Sequence, residues 1–161
     1  MDIRSGAGYP AGALSNFAAH RFVLDGVPCA SIEGVLQSLK FDKPAVQASV
    51  CQLIGFAAKR RGQPRNGAWR RHQTLWWQGQ SMERNGEAYQ AFLTRLYDTV
   101  SEQSESFRKA LLATGDAVLT HSMGKNKMAD TVLTEREFCS QLTRVRAELR
   151  PAQQARARPR P

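Results

Sequence analysis

Apolar residues recur with helical spacing through "SIEGVLQSLKF" (31–41). Ile32, Val35, Leu36 and Leu39 share one face, while Glu33, Gln37 and Lys40 share the opposite one. Ser31 precedes the run as a capping residue, so the pattern predicts a helix to about Phe41. Upstream, "RFVLDGVPCA" (21–30) sets two short apolar runs around Asp25-Gly26, a favoured two-residue hairpin turn, and Pro28 makes the second strand an edge. Pro44 suits the first turn of a second helix, which the pattern continues through "AVQASVCQLIGFAAKRR". Gly62, Pro64 and Gly67 predict a loop, "AWRRHQTLWW" a short helix, and "QGQSMERNG" another loop.

Two further helices are expected over about 87–99 and 104–113, with a short strand at Ala117 to Thr120. Thr134 and Glu137 have the spacing of a capping box, which opens a final helix reaching about Leu149, just before Pro151. Residues 151–161, "PAQQARARPRP", have no aliphatic side chain larger than alanine and are expected to form a disordered basic tail. The predicted architecture is α+β: one mostly helical domain over 1–150 with a small N-terminal β-hairpin.

Composition narrows the function classes. The chain has 161 residues, 42% of them hydrophobic, enough for one domain with a real core. No apolar run approaches a membrane span, and "MDIRSGAGYPAGALSNF" lacks the features of a signal peptide, so a cytoplasmic protein without a membrane partner is expected. Cys29, Cys51 and Cys139 are widely spaced, which suits a reducing compartment. The net charge of +9 is concentrated in two acid-free places. One is "KRRGQPRNGAWRR" (59–71); the other is the tail, with Arg150, Arg156, Arg158 and Arg160. The rest of the chain is close to neutral, so any attraction for DNA or RNA resides in the basic loop and tail.

His20, His72 and His121 have no metal-ligand spacing, and neither a Walker sequence nor GxSxG occurs, so no metal and no cofactor are expected. "GAGYPAG" near the N-terminus reads as a turn-rich loop. The polar stripe of 31–41 admits two readings. It is a solvated surface face, or it is the wall of a pocket with a carboxylic acid at one end and an amine nucleophile about 10 Å away at the other. Trp69, Trp76 and Trp77 interleave stacking surface with the basic segment or belong to the core.

In order and approximate spacing, "LSNF" (14–17), "DG" (25–26), "SIEGVLQSLKF", "GFAAKRRG" (55–62), "LLATGDAVLTH" (111–121) and "GKN" (124–126) resemble the YbiA-like, or NADAR, family. The resemblance spans roughly residues 9–149 and implies a mostly helical α+β fold. It also implies N-glycosidase activity: cleavage between ribose C1 and an exocyclic amine. The substrate classes implied are ADP-ribosylated guanine and the phosphoribosylamino-pyrimidines of riboflavin synthesis, with no obligate protein partner. Motif matching places Glu33 and Lys40 on the family's carboxylate and lysine, Asn16 on its "SNF" asparagine and Asn126 on the asparagine of its glycine-rich motif. The expected substrate-binding set is Asn16, Phe17, Gln37, Lys59, Arg60, Trp69, Trp76, His121, Lys125 and Asn126. The three tryptophans compete for one family position. Most members carry a Glu near His121, then an acidic residue and Trp-Gly; this chain has only "SMGKN" there.

Overall fold

The Asp25-Gly26 turn forms with φ of 49° and 80°, the positive pair that a type I′ hairpin requires. It joins β1 (Phe22–Leu24) to β2 (Val27–Cys29) in antiparallel register, with Leu24 opposite Val27. The computed structural model describes residues 1–157. A short helix, α1 (Ala11–Leu14), precedes the hairpin, and α2 (Ile32–Ser38) follows it. The Ser31 hydroxyl caps α2 by accepting from Gly34 N at 3.0 Å, and it donates to the Leu53 carbonyl at 2.8 Å.

Residues 31–40 are all buried, so α2 has no solvent face. Two glycines permit this. A β-carbon at Gly34 would lie 2.7 Å from Leu53 O and 3.0 Å from the carbonyls of Val50 and Cys51. A β-carbon at Gly62 would lie 1.9 Å from Gln37 Oε1.

The single helix expected after Pro44 is two, α3 (Pro44–Val50) and α4 (Gly55–Gly62). Between them the backbone turns away and Gly55 takes a positive φ of 53°. The break frees two carbonyls: Cys51 O accepts from Ala30 N, and Leu53 O accepts from Ser31.

The expected basic loop is also helical. A 3₁₀ turn (Gln63–Arg65) leads into α5 (Asn66–His72). Pro64 sits in the first turn, where its missing N–H costs nothing, and Gly67 faces open space. The predicted helix over "AWRRHQTLWW" stops at His72, and Gln73 adopts the left-handed conformation. "TLWW" becomes β3 (Thr74–Trp77), paired with β4 (Gln80–Glu83) where a loop was expected. Gln78 and Gly79 supply the positive φ values of that second turn, 48° and 84°.

The helices α6 (Glu87–Gln103), α7 (Glu105–Ala113) and α8 (Glu135–Ala157) pack on one another, and α6 also covers β1. Tyr89, Phe92, Leu93, Leu96, Tyr97 and Val100 form the buried stripe of α6. The strand expected at 117–120 reduces to one parallel bridge between Thr120 and Asp2. The capping box forms: Glu137 N donates to Thr134 Oγ1 at 3.1 Å, and Thr134 N donates to Glu137 Oε1 at 2.8 Å.

The last helix does not stop at Leu149. It continues through Pro151 to Ala157, which corrects the tail expected from 151 onward. Alanine, glutamine and arginine favour helix, and Pro151 is exposed, so water can serve the Ala147 carbonyl that Pro151 cannot reach. Residues 158–161 of that tail lie outside the described residues.

Gly34→Ala should destabilise the protein by about 1–3 kcal/mol in urea titration, because the neighbours its β-carbon meets are backbone carbonyls. Gly67→Ala, in open space, should be neutral or stabilising. Equal stability of the two variants would remove the close passage of α2 as a constraint.

Candidate active site

A cavity of about 480 Å³ opens along the polar stripe of α2, with Glu33, Gln37 and Lys40 on its wall. Glu33 enters it because the Asn16 carbonyl accepts from Glu33 N at 3.0 Å, pinning the "SNF" segment to the first turn of α2. Tyr97, buried on α6, donates its hydroxyl to Asn16 Oδ1 at 2.8 Å and sets the asparagine's orientation. Gln37 Nε2 donates to Glu33 Oε1 at 2.8 Å. The amide therefore serves the carboxylate and not the amine. Lys40 instead donates to Asn66 Oδ1 at 2.6 Å.

The opposite wall is the segment 121–133, held by its own backbone. Thr131 O accepts from Arg84 Nε at 2.7 Å, Val132 O accepts from the Tyr89 hydroxyl, and Asp130 O accepts from Arg70 at 3.1 Å. Arg84 is fully buried and forms a two-pronged ion pair with Glu137 at 2.6 and 3.1 Å. The His121 ring bonds the Ile3 carbonyl through Nδ1, which must therefore carry the hydrogen.

Of the residues expected here, Asn16, Phe17, Glu33, Gln37, Lys40, Lys59, Trp69, His121 and Lys125 line this cavity. Three do not. Arg60 and Asn126 are exposed and absent from the lining, and Trp76 lines a different cavity. Strand alternation separates the adjacent tryptophans: Trp77 turns into the core, packs on Phe92 and donates to Asp25 at 2.8 Å, while Trp76 turns outward. Asn66, Arg70 and Gln47 were missed. Gln47 is buried with Nε2 within 3.2, 2.9 and 2.7 Å of the carbonyls of Ser38, Phe41 and Trp76, so it fixes the chain on both sides of Lys40. Nothing local in the sequence distinguishes Gln47 from a surface glutamine. Asn66 lay in a segment expected to be a loop.

A model of the family described as bacteriophage protein GP30.3 matches residues 8–147. The chain belongs to that family. It is 37% identical over 150 residues to the uncharacterized 17.1 kDa protein of the Gp30–rIII intergenic region of Enterobacteria phage T4, covering 92% of this chain and 98% of the relative. Among solved structures, the NMR structure of the E. coli protein YbiA superposes with a TM-score of 0.63 at 19% identity, over 99% of this chain and 89% of that one. That likeness concerns the fold. This member of the GP30.3 family thus has a YbiA-like fold, the architecture that the ordered motifs implied, and none of these descriptions names a reaction.

The electrostatics of the cavity are unusual for surface charges. Burial pushes the Glu33 carboxyl above its ordinary range, against the hydrogen bond from Gln37 and the nearby Lys40 and Lys59. Burial also pushes Lys40 down to about 8, helped by Arg70, Lys59 and Lys125 and opposed by Glu33. The amine is therefore partly neutral near physiological pH. Among the described residues, no three His, Cys, Asp or Glu side chains gather in a metal-binding group.

Lys40 should titrate near 8 in side-chain NMR, well below the ordinary 10.5. In Glu33→Gln it should titrate lower still, because the carboxylate favours the ammonium form. Titration of Lys40 near its ordinary value in the wild-type protein would contradict the burial account.

Proposed function

We propose that this protein is an N-glycosidase that hydrolyses the bond between ribose C1 and an exocyclic amine. The observation that carries the reading is a buried carboxyl in the first turn of α2 and a buried, partly neutral amine two residues past its end, lining one cavity. Lys59, Arg70 and Lys125 line the same cavity and suit the phosphates of an ADP-ribosyl or phosphoribosyl group.

In the first step the exocyclic nitrogen donates its lone pair to C1, the bond from C1 to the ring oxygen breaks, and Glu33 in its acid form protonates that oxygen. The neutral Lys40 amine adds to the resulting imine, and proton transfer to the exocyclic nitrogen lets the base leave as a free amine. Lys40 is then joined to C1 as a Schiff base. The Glu33 carboxylate takes a proton from water as it adds to C1, and collapse of the carbinolamine releases the sugar aldehyde and the lysine amine. The net reaction consumes one water and needs no metal or cofactor. In the direct alternative, Glu33 stabilises an oxocarbenium-like state and Lys40 only binds phosphate.

Two substrate classes fit this chemistry, ADP-ribosylated guanine and phosphoribosylamino-pyrimidines. A second reading, a non-enzymatic nucleic-acid-binding module using residues 59–71 and the tail, is favoured by the cations of α4, α5 and the 3₁₀ turn between them. Among the described residues, none of Lys59, Arg60, Arg61, Arg65, Arg70 and Arg71 enters a salt bridge. Salt-sensitive binding without turnover of either substrate class would decide for the module.

Borohydride added during turnover should trap a sugar adduct on Lys40, the residue whose amine burial makes partly neutral. Lys40→Arg should lose both adduct and turnover, because a guanidinium stays protonated. Glu33→Gln should lower the rate on the order of 10²–10⁴-fold. An active Lys40→Arg enzyme would exclude the covalent route, and a wild-type protein inert toward both substrate classes would exclude the N-glycosidase.

A further inference from the structure

A second cavity, of about 410 Å³, lies next to the first, and Lys40 and Trp69 line both. Its volume falls within the roughly 300–1,000 Å³ of ligand pockets. One wall is the outer face of the β3–β4 hairpin, where Thr74, Trp76 and Ser81 stand because alternation sends Leu75 and Trp77 inward. Trp76 is half-buried, anchored through its backbone N–H to the Leu39 carbonyl at 2.8 Å, and paired with the small Ser81. Asp42 and Arg65 also line this cavity.

The two cavities differ in charge. Besides the shared Lys40, the first gathers Lys59, Arg70 and Lys125 with the carboxyl groups of Glu33 and Asp130, whereas the second offers Arg65 and His72 and sets the Asp42 carboxylate beside them. The three additional cations favour phosphates in the first. The second instead supplies an aromatic face, two hydroxyls and a carboxylate. A nucleobase uses that set: the ring stacks on tryptophan, and a carboxylate accepts adjacent ring and exocyclic N–H donors.

We propose that the second cavity is the subsite for the departing nucleobase, with Trp76 as its stacking platform and Asp42 reading its N–H edge. The inference rests on the N-glycosidase reading, in which C1 lies at Lys40, one of the two side chains that both cavities share. A base joined to C1 then projects away from the sugar phosphates, across Lys40. A base within a duplex stack cannot occupy this cavity while its ribosyl group fills the other, so a polynucleotide substrate must be single-stranded or have its base flipped out. Exposed Arg60 and Arg61 on α4 and Arg71 on α5, the helices that also carry Lys59, Trp69 and Arg70, suit the adjoining phosphodiesters.

Calorimetry of the full chain with guanosine and, separately, with ribose 5-phosphate tests the subsite without requiring turnover. Trp76→Ala should weaken guanosine binding about tenfold while leaving ribose 5-phosphate unchanged. Trp76→Phe, which keeps a stacking ring, should restore most of the guanosine affinity, and Asp42→Asn should weaken guanosine selectively. With a single-stranded oligonucleotide carrying an ADP-ribosylated guanine, Trp76→Ala should raise KM about tenfold with little change in kcat. If the wild-type enzyme turns over that oligonucleotide and Trp76→Ala leaves both guanosine affinity and KM unaltered, the subsite falls while the N-glycosidase stands. If guanosine binding depends on Trp76 and no substrate is turned over, the base subsite stands and the enzymatic reading falls.

Discussion

The site depends on two missing β-carbons. Gly34 lets the first turn of α2 pass against the carbonyls of Val50, Cys51 and Leu53, and Gly62 lets α4 lie on Gln37. A methyl group at Gly34 would meet backbone carbonyls and press α2 outward, whereas one at Gly62 would displace the Gln37 carboxamide from its place on the cavity wall. Enclosure turns that stripe into a cavity wall. A carboxyl and an amine that would have ordinary proton affinities on a surface helix are driven toward their neutral forms, Glu33 upward and Lys40 downward. The same close approach leaves Gln37 Oε1 buried with no hydrogen-bond partner among the described residues, while its amide nitrogen is committed to Glu33.

The facing wall depends on a different device. Residues 121–133 carry little regular structure, and such a segment is held only if its backbone groups find fixed partners. Arg84 provides one and also ties the wall to α8 through Glu137. Burial raises the Glu137 carboxyl, but the hydrogen bonds from Arg84, Thr134 and Gln90 outweigh it and hold the group below its ordinary value. One carboxylate therefore closes the capping box of α8, neutralises a fully buried guanidinium and indirectly places Thr131. A buried pair of this kind contributes little to net stability when complete and costs about 3–5 kcal/mol when one partner is removed. Its effect is to specify where the wall sits.

Features written in local chemistry were legible in the sequence. The Asp25-Gly26 turn, the Ser31 cap, and the Thr134 and Glu137 box each need only residues a few positions apart, and each forms. The errors came from treating glycine and proline as breakers regardless of position. Pro64 opens a helical turn and Gly67 sits harmlessly inside α5, so a segment expected as loop is helical. The β3–β4 hairpin turns on Gln78-Gly79, which lacks the Asn or Asp that signals such turns, and two strands were missed. In the site, the stripe on α2 was visible from spacing alone, whereas Asn66, Gln47 and Arg84 act over 26 or more residues or on backbone carbonyls and leave no local pattern.

The tryptophan ambiguity shows how register converts sequence into placement. Trp76 and Trp77 are chemically identical neighbours, and composition cannot assign them different roles. Pairing of Trp76 with Ser81 decides the matter, because adjacent strand residues must face opposite sides. Trp77 then completes the core under α6, and Trp76 stands on the outer face beside Lys40. Trp69, from α5, closes the space between, buried and lining both cavities. Lys40 is thereby reached from two sides, one rich in cations and one aromatic. Its hydrogen bond to Asn66 and the Gln47 bonds to the carbonyls around it keep the amine at that boundary. An apolar residue at position 40 would satisfy the packing of α2 without the desolvation that lowers the lysine's proton affinity. That local cost falls where the two cavities meet, which is where chemistry on a bond joining two unlike groups would need it.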